Sequence, residues 1–544
     1  MKKRYVFISH SSKDYDRLQP LVAFIKTAGI DCWLSEVNLD KTKRSWRKEL
    51  MKALRESDSV LLYLTENAIE SGEVENEIGE ASSMGKNVIP LLPDHIQIPD
   101  DIDYLINKYE WINAYMQEEE TTQRALRKRL QENFNAMREE FIQTTQSVAF
   151  RSFVAEVMRR YYGKAFFTSV NGRDYPVFSL PGRKFDKVKS IRDFDALGDI
   201  TNSVLCDFDI QDHQKYKQYT WYTEYSKILG RTIRYPNRPG YMLDELQLND
   251  SGEVCGISVH VGTYAENVYS THVLEYELYR LYRSYNAEDP ADQSVWDKIL
   301  QSMPLRDRMH PDMPLRESGS YYSEMFRSLL RGTGRESLLS VQMIVVMKSE
   351  KSKKYEVTII KRSDMVAILP GVYQFIPAGG FEILNDSNDD VYDDIELEEN
   401  FSLGCAVFRE YLEELFNLPE FEGNGSGSIE ERLMKDERII HIEEMLKNGD
   451  ADLQFLGSVM ELSGLRQELS FALVIHDSEY SKQRFIANEE CKKGSVYTIP
   501  LDEFERKKSI WKEIHHSSAA MWALFRQTEL CKKCIAYNSE QVDG

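Results

Sequence analysis

A glutamate placed beside an apolar helical stripe is a candidate catalytic group, and Glu77 has that position. Val74, Ile78 and Ala81 recur at i, i+4 and i+7, which marks the buried face of a helix, and Glu77 directly precedes Ile78 at its border. A carboxylate there is partly desolvated and held in place, as electrostatic catalysis requires. The plain alternative is a solvated helix glutamate among Glu73, Glu75 and Glu80. A second set, Glu410, Glu413 and Glu414, shares one helical face at i, i+3 and i+4. That spacing could hold a magnesium ion against a pyrophosphate, or could be a solvated face of an acidic chain. Cys531 and Cys534 follow His515 and His516 and could hold zinc. They lie in a segment of helical pattern with Met521, Leu524 and Phe525, so packing cysteines are the preferred reading. Arg231, Arg234 and Arg238, interleaved with Tyr235, could grip phosphates. A charge-balanced loop beside Asp244 and Glu245 is preferred there.

The elements that must position Glu77 read strand, loop, helix, strand. Val60 to Leu64 is a continuous apolar run, typical of a parallel strand covered on both faces. Thr65 to Ser71 is a polar loop, and Ser71 is a candidate N-cap with Glu73 and Glu75 in the first helical turn. Gly85 can end the helix before a strand at Val88 to Leu92. Upstream, Tyr5 to Ile8 is a strand followed by the loop Ser9 to Asp14. Leu18, Leu21, Val22 and Ile25 mark a helix that ends at Ala28 and Gly29, and Ile30 to Leu34 is the next strand. A polar loop from Ser35 to Arg44 leads to a helix opened by Ser45 and Trp46, with Leu50, Ala53 and Leu54 on one face. This alternation predicts an α/β fold, a doubly wound parallel sheet of flavodoxin-like type. Ligands bind such sheets outside the carboxyl ends of the strands, so the three loops and the start of the Glu77 helix should share one edge.

At 544 residues the chain should hold about three or four domains. Its net charge of −21 argues against phosphate-driven, non-specific nucleic-acid binding. No apolar run approaches the length of a bilayer, and the basic start Met1 to Arg4 leads directly into a strand, so a soluble, unprocessed protein without a membrane partner is expected. Seven cysteines without framework spacing suit a reducing cytoplasm.

The expected division is 1–115, the α/β domain; 116–163, a helical connector; 164–335, an α+β domain; 336–504, a mixed-sheet domain; and 505–544, a helical segment. In the connector, Leu126, Leu130, Phe134, Met137 and Phe141 form a stripe extended by Phe150, Phe153, Val154 and Met158; it could pass on a rotation or a dimer contact, or be a spacer. Beyond it, Phe166–Val170 and Tyr175–Leu180 suggest a hairpin around Asn171 and Gly172. Val254 to Val261 is a strong strand, followed by a helix from about Ser270 to Tyr285. Ala287 to Met313 lacks period and is expected to be a mobile loop. Leu339–Met347 and Tyr355–Lys361 alternate as paired strands.

The first stretch, Tyr5 through Ser9, His10, Ser11, Ser12, Lys13 and Asp14, resembles the opening strand and first loop of TIR (Toll/interleukin-1 receptor) domains. Gly29 to Leu34 followed by Ser45 and Trp46 is similar to their second strand, BB loop and next helix. Ser71 to Ile78, Ala81 and Gly85 to Pro90 resemble the segment carrying the catalytic glutamate in bacterial TIR domains. Arg44 stands where the family often has glycine before the Ser-Trp pair. The resemblance covers about residues 1–115 and implies cleavage of NAD+, as substrate, at the nicotinamide–ribose bond, with Glu77 as the catalytic carboxylate. It also implies that Ser9 and His10 line the nucleotide cleft and that Trp33 or Trp46 stacks on a ring. Core packing is the alternative for the tryptophans, and solvent exposure for His10. The product would be ADP-ribose or a cyclic variant.

Gln374 to Glu382 and, after an acidic insert, Arg409-Glu410-Tyr411-Leu412-Glu413-Glu414 resemble the glycine turn and core of a Nudix box. The resemblance spans roughly 336–504, with a longer loop than usual and Phe416 at the closing glycine. It implies a Nudix-like domain in which Gly379, Gly380 and Arg409 bind a nucleotide-derived ligand, with Mg2+ at Glu410, Glu413 and Glu414, binding being favoured over efficient hydrolysis. Together the two resemblances imply a cytoplasmic NADase effector of antiviral defence by abortive infection. A nucleotide-derived or phage-derived ligand would switch it on, and TIR self-association would form an oligomer or filament. Two rivals stand beside this reading: a TIR interaction module without catalysis, and a magnesium-dependent pyrophosphohydrolase acting on an ADP-ribose-type signal.

Overall fold

The computed structural model describes residues 5–27, 30–38, 46–57, 59–83, 86–107, 109, 111–131, 134–202, 225, 239–285, 293–310, 313–314, 318–362, 371–383, 401–418, 429–482, 485 and 491–541. The expected Arg231, Arg234 and Arg238 cluster, Gly85 and most of the Ser35–Arg44 loop lie outside them. The chain forms two compact units, residues 1–143 with 219–235 and residues 144–218 with 236–544.

In the first unit β1 (Tyr5–Ser9), β2 (Asp31–Trp33), β3 (Ser59–Tyr63), β4 (Val88–Leu92) and β5 (Ile112–Asn113) pair in parallel in the order β2-β1-β3-β4-β5. Side chains alternate along each strand, so both faces need cover. Phe7, Val60 and Leu62 turn to one face, where α2 (Trp46–Glu56), α3 (Gly72–Ser83) and α4 (Asp100–Ile106) contribute Leu54, Ile78 and Ile106. Val6, Ile8, Leu61 and Tyr63 turn to the other, under Leu18, Val22 and Ile25 of α1 (Tyr15–Thr27). The doubly wound α/β sheet expected from the alternation is therefore present. α5 (Glu119–Gln131) completes the second face with Leu126 and Leu130, so this part of the expected connector belongs to the sheet domain. The loop expected from Thr65 to Ser71 contains a helical turn, Glu66–Ile69, because Thr65 caps it and Ala68 is buried beneath it.

The second unit is built on a mixed sheet in the order β14-β13-β12-β17-β16-β8, with a strand added at β12 and another at β13. Its strands are β8 (Val177–Pro181), β12 (Ser340–Lys348), β13 (Tyr355–Arg362), β14 (Tyr373–Gln374), β15 (Ala378–Gly380), β16 (Ala451–Glu461), β17 (Arg466–Ile475) and β18 (Cys491–Pro500). β8 pairs with β16, so the boundary expected at 335/336 falls inside one sheet. Met521, Trp522, Cys531 and Cys534 share a core with Ile344, Val357 and Ala472, so the residues after 504 close this sheet and do not stand apart. The Asn171–Gly172 hairpin forms between β6 (Thr168–Val170) and β7 (Arg173–Tyr175), with both turn residues at positive φ. Beyond it, the chain leaves the hairpin and enters the large sheet as β8. The expected loop Ala287–Met313 contains helices Gln293–Leu300 and Pro304–Arg308; Trp296 is buried against Phe153, and Pro304 opens the second helix.

A smaller sheet has β11 (Val254–Thr263) at its centre, antiparallel to β10 (Pro239–Leu248) and parallel to β9 (Gly198–Asn202). On β11, His260 Nδ1 is 2.7 Å from Asp244 Oδ1 and Nε2 is 2.7 Å from Glu336 Oε2. Burial opposes the imidazolium, but the hydrogen bonds and charges of Glu336 and Asp244 outweigh it and raise the pKa to about 9. The folded value lies above the unfolded one, so this contribution is full below about pH 6.5 and is lost as pH rises through about 9. We expect His260→Gln to melt below the parent protein at pH 6, with the gap closing by pH 10. Melting curves at both pH values check this, and an equal gap would contradict it.

Candidate active site

Glu77 stands in the second turn of α3. The helix start is fixed by Ser71, whose carbonyl accepts from Glu75 N at 3.0 Å and whose Oγ accepts from Val74 N at 3.5 Å. Val74, Ile78 and Ala81 bury the inner face, and Glu77, at its border, is only 8% exposed. Ser9, the last residue of β1, is buried as well and donates its Oγ–H to Glu77 Oε2 at 2.6 Å. The structure thus brings together the expected catalytic carboxylate and one expected cleft residue, 68 positions apart in the chain. This short hydrogen bond to a charged acceptor holds the carboxylate at the carboxyl end of the sheet.

His10 follows and is buried, with Nδ1 3.0 Å from the Ile8 carbonyl. A carbonyl only accepts, so Nδ1 carries the proton and the ring is oriented by its own backbone. Solvent exposure, the alternative for His10, is excluded. Trp33 stacks on Phe7 at 4.8 Å with an interplanar angle of 14°, and both Trp33 and Trp46 are partly buried against the apolar cluster containing Ile78. For both tryptophans the structure shows the core packing that was left open.

Sequence reasoning gave Asp14 no role. It is 5% exposed and accepts from Thr65 Oγ1 at 2.6 Å and Asn67 Nδ2 at 2.8 Å. Thr65 also caps the helical turn Glu66–Ile69, so one hydroxyl ties the loop after β1 to the loop after β3. The clue was an acidic residue closing a polar loop at a strand end.

In the second unit, α8 (Leu403–Phe416; α6, Val148–Tyr162, and α7, Val273–Tyr285, precede it) carries the other expected cluster. Arg409 is 8% exposed. Its Nη2 donates to the Gly380 carbonyl at 3.0 Å and to Glu410 Oε1 at 2.9 Å, its Nη1 donates to the Glu382 carbonyl at 3.2 Å, and its Nε is 4.0 Å from Glu413 Oε1. Glu414 Oε2 accepts from Ala378 N at 2.8 Å. A side chain at Gly379 would overlap the Glu410 carboxylate, which lies against the glycine backbone. Gly379, Gly380 and Arg409 therefore meet, but as a clamp between the glycine turn and the helix. Of the three glutamates expected to hold magnesium, Glu410 accepts from Arg409 and Glu414 from a backbone N–H. Among the described residues no group of three His, Cys, Asp or Glu is arranged to hold a metal ion.

Zinc is not favoured at the C-terminus either. His515 caps the helix α9 (His516–Gln527), accepting from Ser517 N at 3.3 Å. Cys531 and Cys534 are buried in α10 (Glu529–Glu540), where burial pushes both thiols up to about 12. They are packing cysteines.

Residues 6–130 match the family described as TIR domain. That segment and the parallel sheet with Glu77 at its edge define the first unit as a TIR domain; the match extends to α5, past the expected end at 115. Among solved structures the chain is similar to a 2-deoxyribosyltransferase from Bacillus psychrosaccharolyticus (12% identity, 22% of this chain and 95% of that one, TM-score 0.18). It is also similar to the NUDIX domain of Shewanella oneidensis NrtR complexed with ADP ribose (13% identity, 38% and 88%, TM-score 0.19). A third is a NUDIX hydrolase from Alicyclobacillus acidocaldarius (13% identity, 35% and 90%, TM-score 0.21). Similarities of this size define no fold. No curated protein matches the chain. No helix among the described residues is long and apolar enough to cross a membrane.

The Arg409 clamp yields a direct test. Arg409→Met keeps length and removes the charge together with the hydrogen bonds to Glu410 and to the Gly380 and Glu382 carbonyls. Removing one partner of a buried pair costs about 3–5 kcal/mol, so a clear fall in the melting temperature of the purified chain is expected. An unchanged melting temperature would show that the clamp carries no stability.

Proposed function

We propose that the chain is an NAD+ glycohydrolase whose TIR domain cleaves NAD+ with water to nicotinamide, ADP-ribose and a proton. The observation that carries this reading is the Glu77 carboxylate, buried at the carboxyl edge of a parallel sheet and fixed by the 2.6 Å hydrogen bond from Ser9. The leaving nicotinamide is a neutral pyridine, so departure needs little acid catalysis. Positive charge grows on the ribose as the bond to the ring nitrogen breaks. A carboxylate already desolvated and oriented stabilises that charge without having to reorganise. Glu77 supplies the carboxylate and accepts a ribose hydroxyl, Ser9 positions it, and His10 borders the cleft. A cyclic product requires a second nucleophile from the substrate in place of water.

The second unit is read as a sensor. Its Nudix-like sequence, with the glycine turn clamped to α8, supports binding of a nucleotide-derived ligand over magnesium-dependent hydrolysis. A toxic NADase must stay off until needed, and TIR assembly into an oligomer or filament in the cytoplasm, started by that ligand, would turn it on. NAD+ depletion by such a switch suits antiviral defence by abortive infection.

Nicotinamide release by the purified chain, with and without lysate from phage-infected cells, tests the activity. Glu77→Ala is expected to reduce release at least about 100-fold, the scale of losing a fixed electrostatic group. Ser9→Ala is expected to lower kcat roughly tenfold with little change in KM, the scale of one charge-assisted hydrogen bond. Release by Glu77→Ala at the parent rate would leave the TIR domain as an interaction module.

A further inference from the structure

The second unit contains a cleft of about 240 Å³ that lies beside the Gly379–Gly380 turn and that the motif reading did not anticipate. Leu338 and Val341 give it apolar lining, Tyr264 gives it a ring, and Gln374 and Asn267 give it amides. Two cations, Arg362 and Arg466, face two acids, Glu382 and Glu468. Arg466 is already held by Glu275 at 3.0 Å and Glu461 at 2.8 Å, and Arg362 donates to Gln374. The lining therefore presents no net positive charge to a diphosphate.

What remains is a set of hydrogen-bonding edges. Burial pushes His272 and His515 down to about 3, so both rings are neutral; His515 Nδ1 already accepts from Ser517 N, so its other nitrogen, Nε2, carries the proton and is the donor. Burial raises Glu468 to about 7 against the hydrogen bond from Ser517, so its carboxyl can accept or donate. The volume of about 240 Å³ lies just below the range of drug-sized ligand pockets, roughly 300 to 1,000 Å³, and suits one ring system better than a dinucleotide.

We propose that this cleft binds a single nitrogen heterocycle of nucleobase size carrying an amino or carboxamide group, its edge read by Glu468 and His515 above Leu338 and Val341. The assignment rests on the reading of the second unit as a nucleotide-derived sensor and names the part of the ligand held here. Any phosphates lie outside the cleft. A nucleobase and a nicotinamide share the required chemistry, and separate probes distinguish them.

The test is calorimetric titration of the full chain with adenosine, guanosine, nicotinamide, ADP-ribose and inorganic pyrophosphate. At least one of the three heterocycles should bind while pyrophosphate gives no heat. Glu468→Gln should weaken that binding at least tenfold. Ser340→Leu, which fills the cleft from β12, should abolish it and keeps the test open should Glu468→Gln fail to fold. Silence of all three heterocycles, binding unchanged by the variants, or heat from pyrophosphate would overturn the proposal. ADP-ribose binding that survives both variants would overturn the cleft assignment and leave the sensor reading standing. Silence of every probe, ADP-ribose included, would overturn both.

Discussion

A carboxylate can stand at the edge of an apolar core only where something hydrogen-bonds to it. In the first unit Ser9 supplies such a bond, and the account of the TIR domain depends on its 2.6 Å contact with Glu77. The bond requires β1 to end where α3 passes, and that register follows from pairing Ser9 with Leu62 in the parallel sheet. It also requires Ile78 to be buried, because the residue before it in α3, Glu77, then lies at the border of the core. Sheet, helix and carboxylate are thus one arrangement.

Much of this arrangement was readable in advance. Val60 to Leu64 and Val88 to Leu92 are unbroken apolar runs, and such runs become interior parallel strands because both faces must be covered. The place of Glu77 beside Ile78 gave its border position, since helical spacing fixes which residues flank a buried stripe. Its choice between a solvated and a buried state was not readable. That depends on Ser9, and a contact spanning 68 residues leaves no mark in local periodicity. Asp14 was missed for the same reason: its partners Thr65 and Asn67 come from another loop. The end of the domain was placed too early because Leu126 and Leu130 read equally well as a free amphipathic stripe and as a cover for Leu61 and Tyr63.

In the second unit, identical residue types led to a different outcome. Glu410, Glu413 and Glu414 have a spacing that would suit a metal, and spacing alone could not show that Arg409 turns into the same space. A buried guanidinium seeks acceptors on every side. It takes the Glu410 carboxylate and the carbonyls of Gly380 and Glu382, and so joins the glycine turn to α8. The same competition shapes the neighbouring cleft, where Arg466 is committed to Glu275 and Glu461. Both arginines serve the framework, and beside Arg362 and two acids the open lining offers neutral hydrogen-bonding groups.

The central claim is that Glu77 faces the ribose whose bond to nicotinamide breaks. A crystal structure of the Glu77→Gln variant with intact NAD+ tests it most directly. The account predicts the nicotinamide ribose within hydrogen-bond reach of residue 77, about 2.6–3.2 Å, with Ser9 on the far side of that side chain. NAD+ bound with its ribose away from residue 77 would contradict it.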